Sequence, residues 1–525
     1  MSEPADSGAV APNAYRLLWA GFMAILAAGV GFSVRGGILG QWAKEFGFTM
    51  TELGKITGGG LTGAGVVILL SSLVADKFGY GKLMITAFLC HFISGVMTLA
   101  APMAFQVGGK DLAFQCLFWG MFVFALGNGL CEAVVNPLTA TLFPKNKTHF
   151  LNILHAGWPA GLVLGGLASA LMAAKTDELG AELAPPVDWK IQMSLFLIPV
   201  VLYGGMLLGQ RFPKSEAESA GVSLAEMIGT IFTPLMIVLL IIHAMVGYVE
   251  LGTDSWIPKI TGSIMKSPAA GLALMVYTSS LMFLLRFVAG PIVHRISPLG
   301  LLCASGVLGA IGLTLLGNAT TVIMCVLAAT VYALGKTFLW PTMLAVASER
   351  FPKGGAVSIG MLGAAGMLSA GLLGGPAIGF KQDYNASHEL QKTAPETYQR
   401  YKANEENSFF GFKTVGLDGA KVGVLDDNGQ ELERAGKLLA EEHKEDPNHT
   451  RLAQWWDGAK AYVEVDKSPV QEAGIFGSKM ALKLTAYVPA AMAVCYLLLI
   501  LYFKSIGGYK AVHIEVPEAL GTAES

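Results

Sequence analysis

Two residues of this sequence have types and settings that call for a chemical role. The stretch ALGNGLCEAVVNPLTATLFPK, residues 125–145, holds one carboxylate, Glu132, in a long apolar run. Its frame returns as ALGKTFLWPTMLAVASERFPK, residues 333–353, where the deeply placed charge is Lys336. An ionised side chain at the centre of a bilayer costs about 3 kcal/mol or more, so one that persists faces a cavity or a partner. Glu132 lies twelve residues before Pro144, about 18 Å along a helix and so near mid-membrane. There it can take a proton from one side and release it to the other, or sit in a fixed ion pair that braces the bundle. Lys336 is similarly central and aligns with Asn128, one helical turn from Glu132. Its partner is Glu132, an anionic substrate, or a structural carboxylate such as Glu250.

Further charges and polar groups lie in apolar segments. Glu250 and Asp254 fall in GYVELGTDSWIP, residues 247–258, a glycine-rich, proline-terminated stretch that suits a bending helix and a gate. Glu250 is the deeper of the two; Asp254 is expected in water at the interface. Arg35, near the end of the first apolar segment, would bind an anion, pair with Glu250 or reach outward to water. Arg286 lies one to two turns before GPIVHRIS (290–297), near the end of its apolar segment. Asp76–Lys77, in the loop SLVADKFGYGK (72–82), suit a latch outside the cavity. Asn152, His155, Trp158 and Pro159 recur at spacings of three and four, one helix face. Hydrogen-bonding groups beside an aromatic ring suit sugar hydroxyls and C–H faces, though helix packing uses the same residues. Trp340, Phe338 and Tyr248 are weaker aromatic candidates. His91 and His243 read as lone histidines satisfied by neighbouring backbone.

The elements that position these residues follow from composition. Of 525 residues, 53% are hydrophobic and 14% charged, with a mean hydropathy of +0.54, which indicates a membrane protein. Twelve segments approach the roughly 20 apolar residues that a spanning helix needs. They lie near 15–40, 54–75, 83–105, 111–143, 149–174, 189–212, 229–256, 268–296, 299–318, 320–348, 355–380 and 479–504. The N-terminus lacks a basic leader and cleavage site, so the first segment is expected to be a retained helix. A net charge of −2 gives no reason to expect nucleic acid. The six cysteines all fall within the segments without CxxC or His-rich spacing, which suggests buried hydrophobes and no metal site.

The duplicated frame makes two six-helix halves, with the SLVADKFGYGK and GPIVHRIS loops at equivalent places. The expected divisions are a tail (1–14), a first bundle (15–213), a linker (214–228), a second bundle (229–380), an insertion (381–478), a last helix (479–504) and a tail (505–525). Loops on the side of Lys77, Lys145 and Arg295 carry nine basic residues against seven on the other, which favours that side and both termini as cytoplasmic. Residues 381–475 hold 18 acidic and 12 basic residues and belong in water on the opposite side. Within them NGQELERAGKLLAEEHKED and TRLAQWWDGAKAYV read as amphipathic helices, and GLDGAKVGVLDDNG as a turn-bounded hairpin. This region is either a passive cap or a substrate-capturing or partner-docking module.

With these residues in place, the chain resembles the major facilitator superfamily. SLVADKFGYGK is similar to that family's loop signature at Asp76, Lys77, Gly79 and Lys82, with Ser72 for the first glycine. GPIVHRIS is similar to its second copy at Gly290 and Arg295, with His294 where Asp is usual. A closer likeness is to fucose–proton symporters, carried by GLCEAVVNPLTATLFPKNKTHFLNILHAGWPAG (129–161) at Glu132, Asn136, Pro137, Pro144, His149, Phe150, Asn152 and Gly161. The resemblance implies an all-α membrane fold of twelve transmembrane helices in two pseudo-symmetric six-helix bundles. It ties Glu132 to proton coupling and an asparagine to sugar binding, and it implies gating at Asp76, Lys77, Gly79 and Arg295. The family's first-span aspartate falls on Gly36, beside Arg35, and His155 and Trp158 replace typical amides.

The expected function is secondary active transport by alternating access, a proton-coupled symport of a monosaccharide or related polar solute. Glu132 is the expected coupling acid. Asn152, His155, Trp158, Lys336, Asn128, Glu250 and Trp340 are the expected substrate contacts, and Arg286 and Arg35 join the gate. The alternatives are an organic-anion or sugar-phosphate carrier and, from another class, a transporter-derived sensor. An enzyme is disfavoured because no nucleophile–base or metal-ligand cluster occurs, and no cofactor is expected. The expected setting is a functional monomer in a plasma (bacterial inner) membrane.

Overall fold

The computed structural model describes residues 11–48, 50–57, 60–173, 175–176, 182–441, 446–512 and 514. Most of the two expected tails, 1–10 and 515–525, lies outside these residues. Eleven helical runs among the described residues are long and apolar enough to cross a membrane. One of them, Tyr80–Leu142, has 63 residues and would be about 95 Å long if straight, three times the hydrocarbon thickness. It turns back at Gly108–Gly109. Gly109 has φ 66° and ψ −159°, a conformation open only to glycine. Past the turn the two arms pack together, with Ser94 Oγ donating to the Gly120 carbonyl at 2.7 Å. The eleven runs thus make twelve crossings.

The first lobe comprises Ala14–Phe46, Gly60–Phe78, the two arms of Tyr80–Leu142, Lys147–Met172 and Trp189–Leu207. The second comprises Pro234–Gly252, Pro268–Arg286, Ala289–Asn318, Val322–Arg350, Gly355–Thr393 and Val463–Ser505. These are spans 1–6 and 7–12 below. Small residues bring their backbones together. A Cβ at Gly161 would lie 2.3 Å from the Leu26 carbonyl oxygen, and one at Gly157 2.4 Å from that of Phe22, so spans 1 and 5 meet there. Between lobes, span 2 packs along span 11 and span 5 along span 8. Halving the chain pairs span 2 with span 8 and span 5 with span 11, so the two interfaces exchange under the internal repeat. Both described ends lie on one face. Asn13 donates to the Arg211 carbonyl at 3.0 Å, and Tyr509 Oη to Glu349 at 2.7 Å.

The bend expected in GYVELGTDSWIP is a π turn at Tyr248–Gly252. A second π turn, Ala370–Gly374 in span 11, lies against it. A Cβ at Gly252 would come 2.8 Å from the Gly374 Cα. Widened turns of this kind free a carbonyl locally and recur where helices carry function.

The insertion stands on two helices, not on loops. Gly375–Thr393 prolongs span 11 and Val463–Thr485 leads into span 12. They pack so closely that a Cβ at Gly477 would lie 2.4 Å from the Gln382 carbonyl oxygen. At their far ends Leu390 and Val470 join Tyr401 and Leu425 in a small separate core. Arg400 clamps Asp466 beside it, with Nε 2.7 Å from Oδ2. Gln430–Glu441 and Pro447–Ala459 are helices, as expected. GLDGAKVGVLDDNG is not a hairpin. It forms the helix Gly419–Asp426, because Asp418 caps it by accepting from the Ala420 and Lys421 amides at 3.0 and 3.3 Å and Leu425, with Val422 beside it, packs into the small core. The hairpin is instead Asn407–Phe409 with Phe412–Thr414.

Candidate functional site

Between the lobes lies a cavity of about 440 Å³. Its walls come from spans 1, 2, 4 and 5 of the first lobe and 7, 8, 10 and 11 of the second. On the side of the termini, the lobes close over it. Lys147 Nζ approaches Glu216 Oε2 and the Ser348 carbonyl, each at 3.4 Å. Thr148 Oγ1 lies 3.2 Å from Glu349 Oε1, and Asn152 Nδ2 lies 3.3 Å from Thr342 Oγ1. From that floor the lining continues toward the insertion side through Arg35, Leu39, Thr57 and Gly375.

Glu132 sits in the cavity wall on span 4. Its Oε2 accepts from Asn136 Nδ2 at 2.8 Å, one helical turn away. Asn136 Oδ1 in turn is 2.7 Å from His155 Nε2 on span 5. The carboxylate therefore has an amide, and through it an imidazole, for company. No ion pair involves Glu132 among the described residues.

The two buried cations of the second lobe, Arg286 and Lys336, have carboxylate partners. Arg286 Nη2 pairs with Glu250 Oε1 at 2.8 Å, and both side chains are almost fully buried. Glu250 Oε2 also accepts from the Trp340 backbone amide at 3.2 Å. Arg286 Nε donates to the Thr337 carbonyl at 2.9 Å, and Nη1 reaches across to the His155 carbonyl at 2.5 Å. Glu132, Asn136, His155, Arg286 and Glu250 thus form one connected polar chain from lobe to lobe. Lys336 bonds Asp254, one turn beyond Glu250, and Tyr332 Oη donates to the Val249 carbonyl beside it.

Of the expected substrate contacts, Asn128, His155, Trp158, Glu250 and Trp340 line the cavity. Asn152 and Lys336 are not in the lining. Asn152 turns to Thr342 and the Thr148 carbonyl, while Lys336, 2% exposed, takes Asp254 and not Glu132 or Glu250. Asp254, expected free in water, is thereby half-buried in an ion pair. Trp158 stands beside Phe32, ring centroids 5.8 Å apart, giving the cavity an aromatic wall.

The expected gating residues separate. Arg286 is a wall residue of the cavity. Arg35 also lines it, but it neither reaches out to water nor meets Glu250. At 1% exposure its guanidinium lies 4.1 Å from the Phe124 ring centroid, and Nη2 donates to Ser94 at 2.8 Å. Asp76 and Gly79 lie on the terminal side of the lobes, where Gly79 takes φ 81° to start span 3. Asp76 is half-buried beside Ser215 and Tyr80, and Lys77 and Arg295 are exposed.

The two lone histidines differ from expectation. His91 is held by side chains, Tyr203 Oη and Asn128 Oδ1, each at 2.9 Å. Among the described residues His243 has no hydrogen-bond partner on either ring nitrogen, and it packs against Trp340, centroids 4.7 Å apart. Sequence reasoning also passed over Asn136 as a partner of Glu132, although its spacing of four on a helix was the available signal.

The sequence matches the family model of the Major Facilitator Superfamily over residues 21–375. No curated protein sequence matches significantly. Solved structures with the same fold include FucP in the outward conformation, at 14% identity and a TM-score of 0.57, covering 70% of this chain and 92% of that one. The proton:xylose symporter XylE aligns at 15% identity and 0.55, covering 73% and 91%; both FucP and XylE are from E. coli. A bacterial homologue of the human lysosomal transporter Spinster aligns at 13% identity and 0.57, covering 93% and 99%. Twelve crossings in two lobes about a central cavity, with this match over most of the chain, identify it as a transporter of the Major Facilitator Superfamily.

Proposed function

We propose that this protein is a proton-coupled symporter of a sugar-sized polar solute, a monosaccharide or related polyol, with Glu132 as the coupling acid. The observation that carries this reading is the charge pairing around the cavity. Arg286 and Lys336 are neutralised by Glu250 and Asp254, whereas Glu132 faces the cavity with Asn136 as its direct partner. A proton can then join or leave Glu132 without dismantling an ion pair. The cavity volume falls within the roughly 300–1,000 Å³ of small-molecule sites. His155, Asn128 and the rings of Trp158 and Trp340 offer hydrogen bonds and flat apolar faces suited to a sugar. The fold relatives FucP and XylE, named as fucose and xylose symporters with protons, support the substrate class.

In this reading the termini are cytoplasmic, the insertion is outside a bacterial inner membrane, and the unit is a monomer. The lobes, closed on the terminal side, represent a form that loads from outside. An organic anion is the second reading. It rests on Arg35, a cavity-lining cation with no carboxylate partner among the described residues. Uptake into liposomes under an imposed proton gradient, competed by neutral monosaccharides or by carboxylates and sugar phosphates, separates the two. Competition by neutral sugars is expected; competition by anions alone would overturn the sugar reading.

A further inference from the structure

We infer that the hairpin of the insertion is a lipid-facing anchor, set into the headgroup layer of the leaflet on the insertion side. Its sequence, NSFFGFKT (407–414), puts three phenylalanines around one glycine. Phe410 and Phe412 are 77% and 67% exposed, a large apolar tip for a segment whose base is polar. At that base, Lys413 pairs with Glu406 at 2.9 Å.

The direction of the hairpin is fixed by its contacts along the helix that prolongs span 11. Its base touches that helix at Ser387, whose Oγ is 3.1 Å from Thr414 Oγ1. Its tip touches the same helix at Phe380, whose ring stacks on Phe409 with centroids 5.9 Å apart. From Ser387 to Phe380 is about 10 Å down the helix axis, toward the membrane. The hairpin therefore points back at the bilayer, not away from it.

The level of the tip follows from the helices beside it. Phe380 lies about 38 Å along the helix from Gly355, just past a hydrocarbon core of about 30 Å. Its neighbour Lys381 reaches Tyr248 Oη at 2.9 Å and Thr485 Oγ1 at 3.3 Å. Thr485 stands about 30 Å above the end of span 12 at Ser505, so this lysine marks the same boundary. The side is fixed as well. Leu372, Leu373 and Pro376 form the exposed, lipid-facing stripe of span 11, and Phe380 follows Leu373 by two turns. The hairpin thus continues a lipid-facing surface at headgroup depth, where aromatic rings are favoured. Seated there, it holds the insertion to one flank of span 11.

Photo-cross-linking tests this without removing an aromatic ring. Phe410 and Phe412 are each replaced by p-benzoylphenylalanine in the full chain, reconstituted in phosphatidylethanolamine–phosphatidylglycerol vesicles and irradiated. Phospholipid adducts are expected at both positions and not at Lys460, an exposed site in the upper part of the insertion treated the same way. Cross-links to the protein's own chain or to a second copy would overturn the anchor, as would the absence of any lipid adduct.

Discussion

Asn136 stands between Glu132 and His155, donating to the carboxylate at 2.8 Å and meeting the imidazole at 2.7 Å. Through the His155 carbonyl the contact continues to Arg286 of the other lobe. A change in charge at Glu132 is expected to reach groups that join the two lobes. Replacing Asn136 by leucine removes that link while keeping the helix. The transport rate is expected to fall severalfold, with a loss of about 1–3 kcal/mol of stability for the buried bonds. Initial-rate uptake together with thermal melting of the purified protein reads both.

The Arg286–Glu250 pair is buried on both sides, so removing one partner strands a charge. Arg286→Leu and Glu250→Leu are each expected to cost about 3–5 kcal/mol, and the double variant less than their sum. Melting of the three variants against the parent gives the coupling. Additive losses would show that the two side chains do not act as a pair.

Lys336 provides a contrast, because its partner is Asp254 and it is absent from the cavity wall. The double variant Lys336→Met/Asp254→Asn removes both charges together. Its KM for substrate is expected to stay within about twofold of the parent. A large rise in KM would instead place Lys336 in contact with substrate.

The insertion stands on two packed helices, which supply Leu390 and Val470 to its small core and hold together by their own contacts. Replacing residues 395–462 by a short glycine–serine loop keeps the helix pair Gly375–Thr393 and Val463–Thr485. Transport by this shortened chain is expected to persist. Its loss, with the protein still folded by size-exclusion and melting profiles, would favour a sensing or capturing role for the removed part.

Gly109 sets the turn that makes two spans of one helical run. Any side chain there meets a conformation reserved for glycine, at a cost of about 1–3 kcal/mol. Gly109→Ala should lower the melting temperature with transport by the folded fraction intact.

How much of this was legible in the sequence depends on the range of the forces involved. The twelve crossings, the repeat and the depth of Glu132 follow from local apolar runs and helix rise. Partner choice does not. Depth along a helix says how far in Lys336 and Arg286 lie, but only packing of spans 7, 8 and 10 decides that one meets Asp254 and the other Glu250. Arg35 was placed near an interface by position alone. Phe124 and Ser94, from spans 4 and 3, turn it inward. The π turn at Ala370–Gly374, two residues before Pro376, is matched to the turn in span 7, a pairing set by packing between spans. In the insertion, the turn residues bounding GLDGAKVGVLDDNG suggested a hairpin; Asp418 as a cap and a distant core at Tyr401 and Val470 made a helix.

The central claim is that Glu132 couples proton movement to solute movement. Reconstituted Glu132→Gln protein, compared in counterflow and in uptake driven by a proton gradient, tests it most directly. The account predicts that counterflow exchange continues while accumulation against a gradient is lost. Accumulation at the parent level would contradict it and remove Glu132 from the coupling step.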